Sequence, residues 1–118
     1  MAAPRLNLRI LKLNCYTTGE SGDDEVYLAL SKKRIWPEKS KYKTIKSGAT
    51  DVGIEIKDID PGSLIELELW DYDFISRNDL IGHFKLQVDK QGGPYIAEMI
   101  KNEEESPVAR YNLEWEIF

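Results

Sequence analysis

The chain has 118 residues, 42% of them hydrophobic and 31% charged, a composition that suits one compact domain, 1–118, with an ordinary water-facing surface. Its single cysteine, Cys15, excludes an internal disulfide, and no stretch approaches the roughly 20 apolar residues of a membrane span. The net charge of −5 is uneven: residues 32–46 hold seven bases against one acid, a local +6 that leaves −11 elsewhere and allows two oppositely charged sites.

The chain opens with Arg5, Arg9 and Lys12 set among apolar residues, which breaks up the apolar core a signal peptide needs. A cytoplasmic protein, peripheral at membranes where it docks, is the expectation. R-L-N-L-R-I-L-K-L-N-C then alternates as a half-buried strand does, with Leu6, Leu8 and Ile10 on one face. Its phase shifts to Leu11, Leu13 and Cys15, so a β-bulge or strong twist is expected between the two sets. E-V-Y-L-A-L-S, residues 25–31, is a second strand, and K-Y-K-T-I-K, residues 41–46, a more polar third one at an edge. V-G-I-E-I-K, L-I-E-L-E-L-W-D-Y, G-H-F-K-L-Q-V and R-Y-N-L-E-W-E-I-F complete the strand set. Segments dense in Gly, Pro, Asp and Ser separate them, among them G-E-S-G-D-D and D-I-D-P-G-S.

One stretch breaks the period. Pro94 stands where a first helical residue would, and Ile96, Met99 and Ile100 follow the i, i+3, i+4 spacing, which predicts a short amphipathic helix near 94–103. The whole pattern predicts an all-β, antiparallel Greek-key β-sandwich of about eight strands with that one helix. Such a sandwich gathers loops from distant parts of the chain at each of its two ends.

The segment W-D-Y-D-F-I-S-R-N-D-L-I-G, residues 70–82, carries the chemistry. Asp71 and Asp73 are two apart at a strand end and project to one side. Asp79 returns six residues later, just before the next strand. Carboxylates gathered closely repel unless a cation or protons relieve them, and hard oxygen donors on a flexible loop suit Ca²⁺ ahead of Mg²⁺. An EF-hand is excluded because its sixth and twelfth positions, counted from Asp71, are Ser76 and Gly82 in place of Gly and Glu. Phe74 and Ile75 at the tip then read as residues that enter a lipid interface once the acids are neutralised.

This segment resembles the third calcium-binding loop of C2 domains: a D-x-D pair, a third Asp six residues on, then an apolar–Ile–Gly step at Leu80, Ile81 and Gly82. The detailed likeness covers about 64–88. It implies Asp71, Asp73 and Asp79 as metal ligands, with an added oxygen from Ser76. In the first loop of the family an Asp is followed six residues later by a second one. S-G-D-D-E-V-Y-L matches the second position with Asp24, whereas the first is Thr18; Asp23 or Glu20 would have to substitute. Many C2 domains also carry a lysine-rich patch for polyanions, which Lys39, Lys41, Lys43 and Lys46 resemble in composition. The resemblance thus implies a calcium-binding module that docks on anionic phospholipid or on a protein partner. The alternative is a calcium-independent interaction or assembly subunit with the same sandwich, working in a larger assembly.

Plainer roles stand beside these. Asp and Asn form turns without metal, lysines guard edge strands, and Trp36, Trp70 and Trp115 suit core or half-core packing. Cys15 and His83 lack an oxyanion hole or third partner, so no enzyme is expected. Nucleic acid is not expected as a partner either, given a pI near 4.9 and no recognition signature.

Overall fold

The computed structural model describes residues 4–19, 22–102 and 108–118. Ten strands follow in chain order: β1 (Leu6–Thr17), β2 (Asp24–Leu30), β3 (Lys33–Trp36), β4 (Lys43–Ile45), β5 (Gly48–Ile59), β6 (Ser63–Asp71), β7 (Asp79–Val88), β8 (Gly92–Glu98), β9 (Ile100–Lys101) and β10 (Arg110–Ile117). They form two antiparallel sheets. The first has the order β5-β1-β10-β8, and the second has β3-β2-β6-β7-β9 with β4 also paired to β2. The predicted all-β sandwich is therefore the observed one.

Alternation fixes which side of each strand meets the other sheet. Leu67 and Leu69 of β6, Phe84, Leu86 and Val88 of β7, and Tyr111, Leu113, Trp115 and Ile117 of β10 are all buried between the sheets. In β1 the inward set is Leu6, Leu8 and Ile10, then Leu13 and Cys15. Its pairings with both β5 and β10 shift register between Ile10 and Lys12, where the phase change predicts a bulge. Leu11, at the slip, is only half-buried.

The predicted helix near 94–103 is not there; the segment runs as β8 and β9, and Glu103 lies outside the described residues. The backbone of β10 would otherwise be an open edge, and β8 closes it with Trp115 opposite Tyr95 and Glu114 opposite Ile96. Ile96 and Ile100, the intended apolar stripe, are exposed. Tyr95 packs on Trp115 with ring centroids 5.0 Å apart, a contact worth more than a one-turn stripe. At Met99 the chain passes from one sheet to the other, and Ile100 and Lys101 pair with β7. A Cβ on Gly82 would lie 2.5 Å from the Ile100 carbonyl oxygen, so this crossing requires glycine there. The polar third strand is shorter than the 41–46 expected, and β3 before it has no counterpart among the predicted strands.

The turns collect at two ends. Asp24 faces Ile45, Cys15 faces Gly48, and Asp71 faces Asp79. Thr18, Gly19, Asp23 and the connections 46–47 and 72–78 therefore lie together, and this is called the loop end below.

Candidate functional site: the loop end and the groove beside it

The loop 72–78 is ordered by its own polar groups. The Asp73 carboxylate accepts from the Ile75 and Ser76 amides at 2.8 and 3.1 Å, and from the Ser76 hydroxyl at 2.8 Å. These bonds, the Ile75 amide foremost, hold the Asp73 carboxyl below its ordinary range. Asn78 spans the loop base, accepting from the Asp73 amide at 2.9 Å and donating to the Tyr27 hydroxyl at 2.9 Å. The Tyr72 amide is tied to the Glu25 carbonyl at 2.6 Å.

Aromatic rings brace the flank. Tyr42 stacks on Tyr72 at 5.2 Å, and Phe74 meets both edge-on, at 5.4 and 5.0 Å. Phe74 nonetheless stays 68% exposed, and Ile75 at the apex is 96% exposed. The tip is thus an apolar point on a braced loop.

The predicted metal ligands do not converge. Asp24 is buried, where its carboxylate accepts from the Gly19 amide at 2.9 and 3.1 Å and from the Tyr111 hydroxyl at 2.5 Å. Burial, then this bond, pushes the Tyr111 phenol far above its ordinary value. Asp71 receives the Glu25 amide at 3.2 Å, Ser76 is bound to Asp73, and Asp79 and Asp23 are exposed. Asp23 lies with Thr18 and Lys46 beside a shallow pocket of the first loop. Among the described residues no group of three or more His, Cys, Asp or Glu side chains is placed to hold a metal ion. Calcium takes roughly 6–8 oxygens, so these donors, as arranged, do not fit a calcium cage. Glu20 lies outside the described residues.

The basic residues divide differently from the expectation. On the outer face of the second sheet, Lys32, Arg34 and Lys41 line a groove of about 330 Å³ with Tyr27, Tyr72 and Asn78. Tyr27, Lys32 and Asn78 also line an adjoining cleft of about 450 Å³ that reaches Trp70 and Arg77. Tyr27 and Trp70 lie parallel there, 6.4 Å apart. The Trp70 indole is held by Glu68 at 3.1 Å. Of the lysines expected to bind polyanions, only Lys41 joins this groove. Lys46 lines the first-loop pocket, while Lys39 and Lys43 are exposed outside both. Lys32 and Arg34 belong to the basic stretch 32–46 but were not singled out, and Arg77 and Tyr27 were missed by sequence reasoning. The run Lys32-Lys33-Arg34 is visible, but β3, which turns it onto the sheet face, is not. Cys15 faces the core, whereas His83 is on the outer face beside Glu66 at 3.6 Å, so the two do not meet.

An antiparallel sandwich of two sheets in this strand order is the architecture of a known class of solved structures. The protein has the fold of C2 domains. It is similar over 99% of its length to 94% of the C2A domain of plant Extended Synaptotagmin 1, with TM-score 0.54 and 16% identity. It matches another C2 domain structure with TM-score 0.56, 14% identity and coverage of 96% of this chain and 95% of that one. Human GIVD cytosolic phospholipase A2 matches with TM-score 0.53 and 16% identity, 97% of this chain spanning only 16% of that enzyme. No protein-family model and no curated protein sequence matches the chain.

Proposed function

We propose that the protein is a docking module that attaches to anionic phospholipid surfaces by its loop end. The observation that carries this reading is Ile75, 96% exposed at the apex of a loop braced by the Asp73 and Asn78 hydrogen bonds. An apolar side chain held out on a braced loop loses little conformational entropy when it enters a lipid interface. It gains the transfer energy of a buried aliphatic group, roughly 1.5–3 kcal/mol when burial is complete.

Charge supports the same surface. Lys32, Arg34 and Lys41, in the groove beside the loop base, would attract a negative leaflet by about 1 kcal/mol each where they come near it. The groove they line, with the Tyr27 and Tyr72 hydroxyls and the Asn78 amide, suits a phosphorylated headgroup: cations meet phosphate while rings and amide meet its polar body.

Sedimentation with phosphatidylcholine vesicles, with and without phosphatidylserine, tests the reading. Binding that requires the anionic lipid and weakens with salt is expected. Absence of binding in every condition removes the lipid reading and leaves a protein partner.

A further inference from the structure

A carboxylate at a loop end is stabilised either from outside, by a cation, or from inside, by the chain's own N–H and O–H groups. Here the internal donors are in place. Asp73 has three of them within its own loop, from Ile75 and Ser76. Asp24 has the Gly19 amide and, 87 residues along the chain, the Tyr111 hydroxyl. A cation at Asp24 would compete with the Gly19 amide and the buried Tyr111 hydroxyl for the same carboxylate. With both acids engaged and Asp71 accepting from the Glu25 amide, the described carboxylates of the loop end leave too few oxygens for the roughly 6–8 that calcium takes. The loop's shape has its own support as well, from the Tyr42, Tyr72 and Phe74 rings and the Asn78 bridge.

We infer that the loop end is organised without a divalent cation: Asp24 and Asp73 are fixed internal acceptors, and attachment to an anionic surface answers to ionic strength and not to calcium. The vesicle arm of the test below rests on the docking reading; the thermal arm does not.

Neutralising Asp73 separates the two designs. In either design both variants remove one negative charge near the membrane; in a calcium cage Asp73→Ala deletes a ligand oxygen and Asp73→Asn keeps only an uncharged one, so in chelator the two variants attach alike. In an internally held loop, Asp73→Asn keeps an oxygen for the Ile75 and Ser76 amides, whereas Asp73→Ala leaves those donors unmet.

The experiment uses the full chain. Thermal unfolding is followed in chelator, in Mg²⁺ and in Ca²⁺ at matched ionic strength. The expected midpoints coincide; a calcium-specific rise overturns the inference. Vesicle sedimentation with phosphatidylserine is then run in chelator for the wild type and both variants. Both variants lose the same charge, so they are compared with each other: Asp73→Ala is expected to bind about fivefold more weakly than Asp73→Asn, the scale of one lost set of loop hydrogen bonds. Asp73→Ala binding as well as Asp73→Asn overturns the inference. Should wild type sediment with no vesicle, the docking reading falls, and the thermal arm still decides the cation question.

Discussion

Arg9 and Arg34 stand on the two outer faces of one sandwich in opposite circumstances. Arg9 is enclosed by partners: Glu55 at 2.8 Å, Glu116 at 2.6 Å and the ring of Phe118 at 4.2 Å from its guanidinium carbon. The two glutamates raise its pKa, in that order. Nearby, Asn14 donates to Asn112 and Glu114, and Asn112 donates to the Tyr16 hydroxyl. Arg34, with Lys32 and Lys41, lines an open groove, and among the described residues none of the three forms an ion pair. Charges already answered within the fold hold strands in register. Charges left unanswered around aromatic rings are available to something outside it.

The strongest way to break this contrast is Lys32→Ala with Arg34→Ala. At about 1 kcal/mol per base near a charged leaflet, the pair should weaken vesicle binding roughly thirtyfold while the unfolding midpoint stays put. Equal binding by the variant refutes the role given to the groove. Next is Ile75→Ser with Phe74→Ser, expected to cost about tenfold in vesicle binding, since the two side chains enter the interface only in part. Tyr111→Phe probes the interior in place of the surface. It removes the buried donor to Asp24 and should lower unfolding free energy by about 1–3 kcal/mol in denaturant titration. The smallest effect is expected from Arg9→Ala, a slight loss of thermal stability with vesicle binding unchanged. If that substitution weakens binding as much as the groove variant does, the two faces do not differ as described.

Acidification sharpens the picture of the tip. The Asp73 pKa is depressed in the folded loop, so its contribution is fully present above the ordinary carboxylate range. It disappears as pH falls through the depressed folded value. Amide exchange at Ile75 and Ser76 should therefore lose protection only in strong acid.

The strands were legible wherever one face is buried, because alternation at β1, β6, β7 and β10 is imposed by the core. The segment 94–103 was misread because Ile96, Met99 and Ile100 fit a helical period by coincidence. Their apolarity serves an edge and a crossing between sheets, neither of which has a local signature. In the site, spacing revealed Asp71, Asp73, Asp79 and Asp24 as acids near turns. It could not reveal where their oxygens point. Asp24 is engaged by Tyr111, whose arrival beside it depends on the pairing of the first and last strands. The groove was hidden for the same reason, since it is assembled from β2, β3, β6 and the tip loop.

That pairing also sets an order of events during synthesis. β10 lies between β1 and β8 and supplies the hydroxyl that holds Asp24. Until residues 110–117 leave the ribosome, β1 has one neighbour, β8 has none, and the first loop lacks its anchor. Contacts this distant in sequence form late and slowly. A chain that lacks β10 therefore exposes its apolar strands but not a finished loop end, and the proposed docking surface becomes a property of the whole sandwich.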